Sequence, residues 1–138
     1  MIDFHNHILP GVDDGSKSME MSLNMLKTAA EQGITKIVNT IHYQHPKMEN
    51  KNTDFSFIDS IRKEVIHESN KIGIFIDIKI AAEVYYSFDL NVFVDNPLTT
   101  INNYMLIEFP CVARQLVLLV SFSYYRKQQF HLILSLHS

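Results

Sequence analysis

The stretch MIDFHNHILPGVDDGS, residues 1–16, indicates the kind of fold, because an apolar run leads directly into a loop rich in metal-binding side chains. Residues 2–5 have the composition of a short β-strand. Residues 6–17 mix proline and glycine with polar residues, which is typical of a loop. We therefore predict a strand that places His5 and His7 at the start of a polar loop.

Beyond this stretch, strand-like and helix-like segments alternate. A helix is predicted to begin at Ser18, a residue type that caps helix N-termini, and to end at Gly33. The other predicted elements are a buried strand at 34–38, a helix at 54–70, a strand buried on both faces at 74–80, a short helix near 90–94 and a strand at 104–109. Strands joined by helices favour right-handed crossovers, so we predict an α/β fold with parallel strands and the helices outside. Such folds carry their sites at the carboxyl ends of the strands.

Length, charge and cysteine content narrow the class further. The 138 residues suit one domain, and a formal charge of −3 argues against a nucleic-acid partner held by a basic surface. The single cysteine, Cys111, excludes an internal disulfide framework and fits a reducing compartment. The start of the chain has no secretory signal, and no apolar run reaches the roughly 18 residues of a membrane span. We therefore expect a cytoplasmic protein without membrane insertion.

The strongest chemical signal is the pair His5 and His7 at the end of the first predicted strand. Alternate residues of an extended segment point to the same side, so both imidazoles are placed to chelate a divalent metal. Asp13 and Asp14 follow in the loop and can supply carboxylate oxygens. A histidine pair also occurs by accident, but the strand end and the acidic loop together favour a metal site.

Three more ligand-type residues accompany the later predicted strands. His42 follows the second strand, Glu83 follows the third, and Glu108 lies between apolar residues of the fourth. A carboxylate among apolar strand residues is costly to bury unless it is paired or bound to metal. His45 is interpreted as a solvated or substrate-side residue. A ligand at every strand end favours a multinuclear metal centre that clamps a phosphate, and the mixed donor set suits Mn, Fe or Zn.

Other common phosphate chemistries lack their motifs in this sequence. Cysteine-dependent phosphatases need an arginine six residues after the nucleophile, but Val117 occupies that position relative to Cys111. Neither a GxxxxGK[ST] phosphate loop nor a GxSxG nucleophile elbow occurs.

These segments resemble the PHP-superfamily bacterial protein-tyrosine phosphatases of the CpsB/CapC/YwqE type. The resemblance is carried by residues 1–16, Glu31-Gln32-Gly33-Ile34, Thr40-Ile41-His42, Ala82-Glu83-Val84-Tyr85-Tyr86 and Tyr104-Met105-Leu106-Ile107-Glu108-Phe109-Pro110. It implies the N-terminal half of a distorted (β/α)7 barrel with a centre of two to three metal ions, usually Mn2+. It also implies hydrolysis of phosphotyrosine on a cognate autophosphorylating tyrosine kinase in capsule or exopolysaccharide regulation. The residues at the family's ligand positions are His5, His7, Asp14, His42, Glu83 and Glu108, of which Asp14 and His42 are also assigned catalytic roles.

The resemblance extends over about residues 1–116, and family members are about twice as long as this chain. All 15 acidic residues lie between Asp3 and Glu108, and the segment 117–138 has none. We therefore expect a partial PHP domain at 1–116 and an atypical tail at 117–138, which we hypothesise to be translated out of frame. Such a chain is expected to bind metal weakly and to turn over little substrate.

Two other functions remain open at the level of sequence. One is another PHP phosphoesterase, such as a histidinol-phosphate phosphatase, with a similar metal set. The other is a non-catalytic remnant that binds metal or a kinase partner.

Overall fold

A computed structural model describes residues 1–48, 54–86, 90–93, 95–101, 104–109 and 131–135. In these ranges the chain forms five strands and two α-helices, with a short 3-10 helix at Leu90–Phe93. The strands are β1 (Ile2–Asn6), β2 (Lys36–Tyr43), β3 (Asp77–Tyr85), β4 (Tyr104–Glu108) and β5 (His131–Ser135), and the helices are α1 (Met19–Glu31) and α2 (Phe55–Lys71).

Local capping interactions fix the ends of both helices. The Ser18 side chain accepts a hydrogen bond from the backbone of Met21 at the start of α1, and Asp54 does the same for Ser56 at the start of α2. Gly33, just past α1, has a φ of +76°, the left-handed conformation that commonly terminates helices. The predicted helices at these positions are confirmed.

Two strands lie further along the chain than predicted. The strand expected at 34–38 continues to Tyr43, and the one expected at 74–80 begins at Asp77 and runs to Tyr85. The cause is their mutual pairing, which continues without interruption from Lys36 opposite Asp77 to Tyr43 opposite Val84. Hydrogen bonds between strands therefore override the weak local strand signal.

The prediction that 74–80 is buried on both faces is wrong in part. Phe75 precedes β3 and is 75% exposed, and Lys79 is exposed within the strand. Ile78, by contrast, is fully buried. The apolar run at 74–80 therefore includes both the segment that leads into β3 and the first part of β3 itself.

The five strands form one parallel sheet whose order follows the chain, β1-β2-β3-β4-β5. The predicted parallel α/β architecture is confirmed. When every right-handed crossover moves to the next strand in the same direction, all the helices lie on one face of the sheet, as they do in a barrel. In a doubly wound sheet the strand order reverses and helices cover both faces. The order found here is that of the barrel type. β5 was not among the predicted strands, and the predicted boundary at 116 lies outside the described residues.

The two faces of the sheet differ in how they are covered. The face that packs on the helices forms the apolar core, with Leu26, Ile58 and Val65 from helices and Ile37, Ile41, Ile78, Val84, Met105 and Ile107 from strands. The opposite face borders a cavity of about 430 Å³ lined by residues that include Phe4, Val38, Ala81, Tyr104 and Leu106. Within the described ranges, no helix is long and apolar enough to cross a membrane.

The buried face of β3 provides a test of this arrangement. We expect Ile78→Ala to lower the free energy of unfolding by about 2–5 kcal/mol, because it leaves a cavity between the sheet and the helices. The matched control Phe75→Ala removes an exposed side chain and should change that free energy by no more than about 0.5 kcal/mol. Chemical denaturation of both variants measures the difference, and equal losses would contradict the described burial.

Candidate metal centre

The loop between β1 and α1, residues 7–18, carries Asp13 and Asp14 and is called the acidic loop below. This loop folds back onto His7. The backbone N–H of Ser16 donates to the carbonyl oxygen of His7 at 3.0 Å, and that of Gly11 donates to the carbonyl oxygen of Ser16 at 2.8 Å. At Gly15 the two chain segments approach so closely that an added Cβ would overlap the Cβ and carbonyl oxygen of His7. Glycine at this position therefore allows the acidic loop to return to the histidines.

Asn39 on β2 holds the other side of this loop. Its side-chain oxygen accepts hydrogen bonds from the backbone N–H groups of Ile8 at 2.7 Å and Leu9 at 2.9 Å. Asn39 is buried, so these bonds also satisfy an amide that would otherwise be costly in the core. Asn39 was not predicted from the sequence, although an asparagine inside an apolar strand run is an indication of such a role.

Glu83 on β3 is the centre of the cluster. Its side chain is fully buried, and its Oε2 lies 3.1 Å from Nε2 of His5 and 3.5 Å from Nε2 of His7. Nδ1 of His42 lies 3.7 Å from the same oxygen. Glu83 and His42 are register partners on adjacent strands, so both project to the same face of the sheet. One carboxylate is therefore surrounded by three imidazoles.

His42 connects Glu83 to two further carboxylates. Its Nδ1 lies 3.2 Å from Oε2 of Glu108 on β4, and its Nε2 lies 3.3 Å from Oδ1 of Asp14 in the loop. The sequence placed His42 and Glu83 just past their strands, but both lie inside them because β2 and β3 are longer than predicted. The structure nevertheless brings all six predicted site residues together.

The six residues form three overlapping groups in which potential ligand atoms lie within 4.8 Å of one another. These groups are His5, His7 and Glu83; His7, Asp14 and His42; and His42, Glu83 and Glu108.

His45, interpreted from sequence as a solvated or substrate-side residue, is largely enclosed. Its Nδ1 accepts a hydrogen bond from the backbone N–H of Lys47, so in the neutral ring the proton is on Nε2. That Nε2 lies 3.5 Å from Oε1 of Glu108, and the ring packs edge-on against Tyr85. His45 and Lys47 also line a cavity of about 420 Å³ at the mouth of the cluster, with Asp14, His42 and Glu108.

The sequence of this chain matches that of one known protein family. The family described as capsular polysaccharide synthesis, CpsB/CapC, matches residues 1–133. The chain belongs to the CpsB/CapC family.

Individual relatives agree with this assignment. Tyrosine-protein phosphatase CpsB of Streptococcus agalactiae is 36% identical over 112 residues, which cover 79% of this chain and 45% of CpsB. Tyrosine-protein phosphatase YwqE of Bacillus subtilis is 32% identical over 115 residues, which cover 80% of this chain and 43% of YwqE. The chain therefore spans about half the length of the relatives it matches.

A solved structure confirms the fold of this CpsB/CapC member. The matching chain belongs to the set of crystal structures of two metal-dependent tyrosine phosphatases, YwqE of Bacillus subtilis and CpsB of Streptococcus pneumoniae. The TM-score is 0.77 at 27% identity, and the match covers 97% of this chain and 54% of the solved chain. The predicted resemblance to this family and the predicted half of a larger α/β fold are confirmed.

The donor atoms of this CpsB/CapC member suit a divalent metal. Nε2 of His5 and Nε2 of His7 lie 3.1 Å apart and face the same carboxylate oxygen of Glu83. Two imidazole nitrogens that converge on one buried carboxylate offer a cation both neutral and anionic ligands. A mixed set of imidazoles and carboxylates is typical of sites for Zn, Fe and Mn.

The charge of His7 depends on its two carboxylate neighbours. Burial lowers the pKa of His7, but hydrogen bonds and charge attraction from Asp13 and Glu83 more than offset it and raise that pKa from 6.5 to about 9. Burial likewise opposes ionisation of Asp13, yet the contacts with His7 hold the pKa of Asp13 below its usual range. The protonated His7 therefore stabilises the metal-free fold below pH 6.5, and this contribution is lost as the pH rises through about 9.

The close approach at Gly15 gives a first prediction for this site. We expect Gly15→Ala to weaken metal binding and to lower the free energy of unfolding, because the new methyl group pushes the acidic loop away from His7. The control Gly73→Ala has open space around its Cβ and a φ of +78°. It should cost only the roughly 1–2 kcal/mol of a left-handed backbone. Titration calorimetry with Mn2+ and thermal melting compare the two, and normal metal binding by Gly15→Ala would contradict the described contact.

The pKa of His7 gives a second prediction. A metal binds only the neutral imidazole, and His7 is protonated in the metal-free chain below about pH 9. The apparent association constant for Mn2+ should therefore rise about tenfold per pH unit from pH 6.5 and level off near pH 9. Calorimetry in buffers of different ionisation enthalpy should also detect one released proton. An association constant that does not change with pH would contradict a protonated His7.

Proposed function

We propose that this chain carries the metal-binding part of a metal-dependent phosphotyrosine-protein phosphatase. The observation that carries the proposal is the convergence of six ligand-type side chains from β1 to β4 and the acidic loop into three overlapping groups. Membership of the CpsB/CapC family supports it, because relatives in that family are named tyrosine-protein phosphatases.

The three groups are proposed to hold two to three metal ions. Mn2+ is the proposed metal, with Fe or Zn as substitutes that accept the same donors. His5, His7 and Glu83 would hold one ion, while Asp14, His42 and Glu108 complete the other groups. Metal ions bound in this way polarise phosphoryl oxygens and activate water for attack on phosphorus.

Asp14 and His42 are proposed to act closest to the substrate. The Asp14 side chain is 58% exposed and lines the mouth cavity, whereas that of His42 is only 7% exposed. Oδ1 of Asp14 lies 3.3 Å from Nε2 of His42, and both would hold the same ion. The other carboxylate oxygen of Asp14 would then be left to accept a proton from a water molecule in the cavity. The buried His42 would hold the ion from the opposite side.

A phosphotyrosine protein is the proposed substrate, in particular an autophosphorylating tyrosine kinase of capsule or exopolysaccharide regulation. The family's link to capsular polysaccharide synthesis supports this choice. Lys47 lines the same cavity as Asp14, so a cationic side chain is available near an entering phosphate. The Asp14 side chain is 58% exposed whereas those of Glu83 and Glu108 are buried, so a phosphate would reach the centre from the Asp14 side.

The proposal is tested by phosphate release from a phosphotyrosine peptide, with phosphoserine peptide and histidinol phosphate as comparison substrates. We expect release from phosphotyrosine to be slow, to require added Mn2+ and to stop with a chelator. His42→Ala should reduce release to the level measured with chelator, because it removes a donor shared by two groups. Glu64→Gln changes an exposed carboxylate of α2 and should leave the rate unchanged.

Two results would overturn the assignment. Preferential hydrolysis of histidinol phosphate would favour a different phosphoesterase. Mn2+ binding without any hydrolysis, in a chain that melts cooperatively, would favour a non-catalytic metal-binding protein.

A further inference from the structure

Asp13 makes three contacts that join separate parts of the centre. Its Oδ2 lies 2.7 Å from Nδ1 of His7, its Oδ1 accepts a hydrogen bond from the backbone N–H of Gly15 at 3.0 Å, and the backbone N–H of His42 reaches Oδ2 at 3.4 Å. The side chain is 5% exposed. One buried carboxylate therefore connects the histidine after β1, the acidic loop and β2.

The direction of these contacts separates Asp13 from the candidate ligands. Its Oδ2 is directed at Nδ1 of His7, on the side of the ring opposite the Nε2 atom that faces His5 and Glu83. Asp13 accordingly belongs to none of the three ligand groups, whereas its neighbour Asp14 does. The sequence treated both aspartates as possible oxygen ligands, and the structure gives them different neighbours.

An ionised carboxylate can only accept hydrogen bonds, so the ring nitrogen that faces it carries a proton. In a neutral His7 that proton is on Nδ1, and the lone pair is on Nε2. Metal-binding histidines commonly have such an outer carboxylate, which fixes both the tautomer and the angle of the ring.

We propose that Asp13 is a positioning residue that holds His7 in the tautomer and orientation in which Nε2 binds metal. The inference rests on the proposed metal centre and deepens it by assigning a role to a residue outside the ligand set. Because Asp13 also accepts from the backbone of Gly15 and lies near that of His42, the same carboxylate sets where the acidic loop lies relative to β2.

Asp13→Asn tests the proposal with almost no change in shape. If the amide oxygen accepts from Gly15, the amide nitrogen donates to Nδ1 of His7 and forces the proton onto Nε2, which then cannot bind metal. If the amide is turned the other way, two donors meet at Gly15. We expect Mn2+ affinity to fall about 10–100-fold in either case. The matched control is Asp54→Asn, which keeps a good helix cap at α2 and should bind Mn2+ as the unaltered chain does.

A second measurement needs no variant. In the unaltered chain loaded with Zn2+, long-range 1H–15N spectra should show His7 with a protonated Nδ1 and a metal-bound Nε2. The Co2+-loaded chain should lose ligand-field intensity on Asp13→Asn but not on Asp54→Asn.

The outcomes are distinguishable. Full Mn2+ affinity of a folded Asp13→Asn chain, or metal bound through Nδ1 of His7, would overturn the role of Asp13 and leave the metal centre intact. Failure of the unaltered chain to bind Mn2+, Zn2+ or Co2+ would overturn the metal centre and this role together.

Discussion

Burial of the Glu83 carboxylate is the constraint on which the rest of the centre depends. A fully buried carboxylate loses its hydration, and the fold must offer opposite charge or donors in return. His5, His7 and His42 surround it with nitrogen atoms at 3.1–3.7 Å, and they come from two different strands and the loop between β1 and α1. A bound cation would compensate the same carboxylate more fully, because it brings a fixed double positive charge next to the buried oxygen. The requirement to compensate one carboxylate and the capacity to hold metal therefore have the same structural origin.

Register and loop closure bring those partners to Glu83. The long pairing between β2 and β3 places His42 opposite Glu83. Glu108 on β4 pairs with Tyr85, two residues beyond Glu83 on β3, so its carboxylate lies on the same face of the sheet as that of Glu83. The acidic loop is held at its two sides by Asn39 and by the close approach at Gly15. Apart from the approach of Gly15 to His7, these contacts join residues more than 20 positions apart, so they depend on the sheet being correctly assembled.

The sequence predicted those features that depend on neighbouring residues. Ser18 and Asp54 cap their helices through bonds to residues two or three positions away, and both helix starts were therefore predictable. The ligand-type residues were recognisable because histidines and glutamates are unusual at the ends of apolar strands. The strand ends were not predictable to the same degree, since the continuation of β2 through Asn39 to His42 depends on bonds to neighbouring strands. The sequence indicated Asp13 only as a possible oxygen ligand, because its contact with Nδ1 of His7 forms only when the loop folds back. The partners of His45, which are Glu108 and Tyr85, lie on other strands.

By itself, the sequence determined the α/β class, the parallel strands, the family and the six residues that could hold metal. Each of these follows from composition and periodicity along the chain or from matching segments. Only the tertiary structure decided that Asp13 contacts the outer side of His7 while Asp14 reaches His42, and that Glu83 is buried at the centre. The physical reason is that adjacent aspartates are chemically identical along the chain. Their surroundings differ only after the loop folds back, because Asp13 then contacts the enclosed ring of His7 while Asp14 lines the cavity of about 420 Å³ and stays exposed.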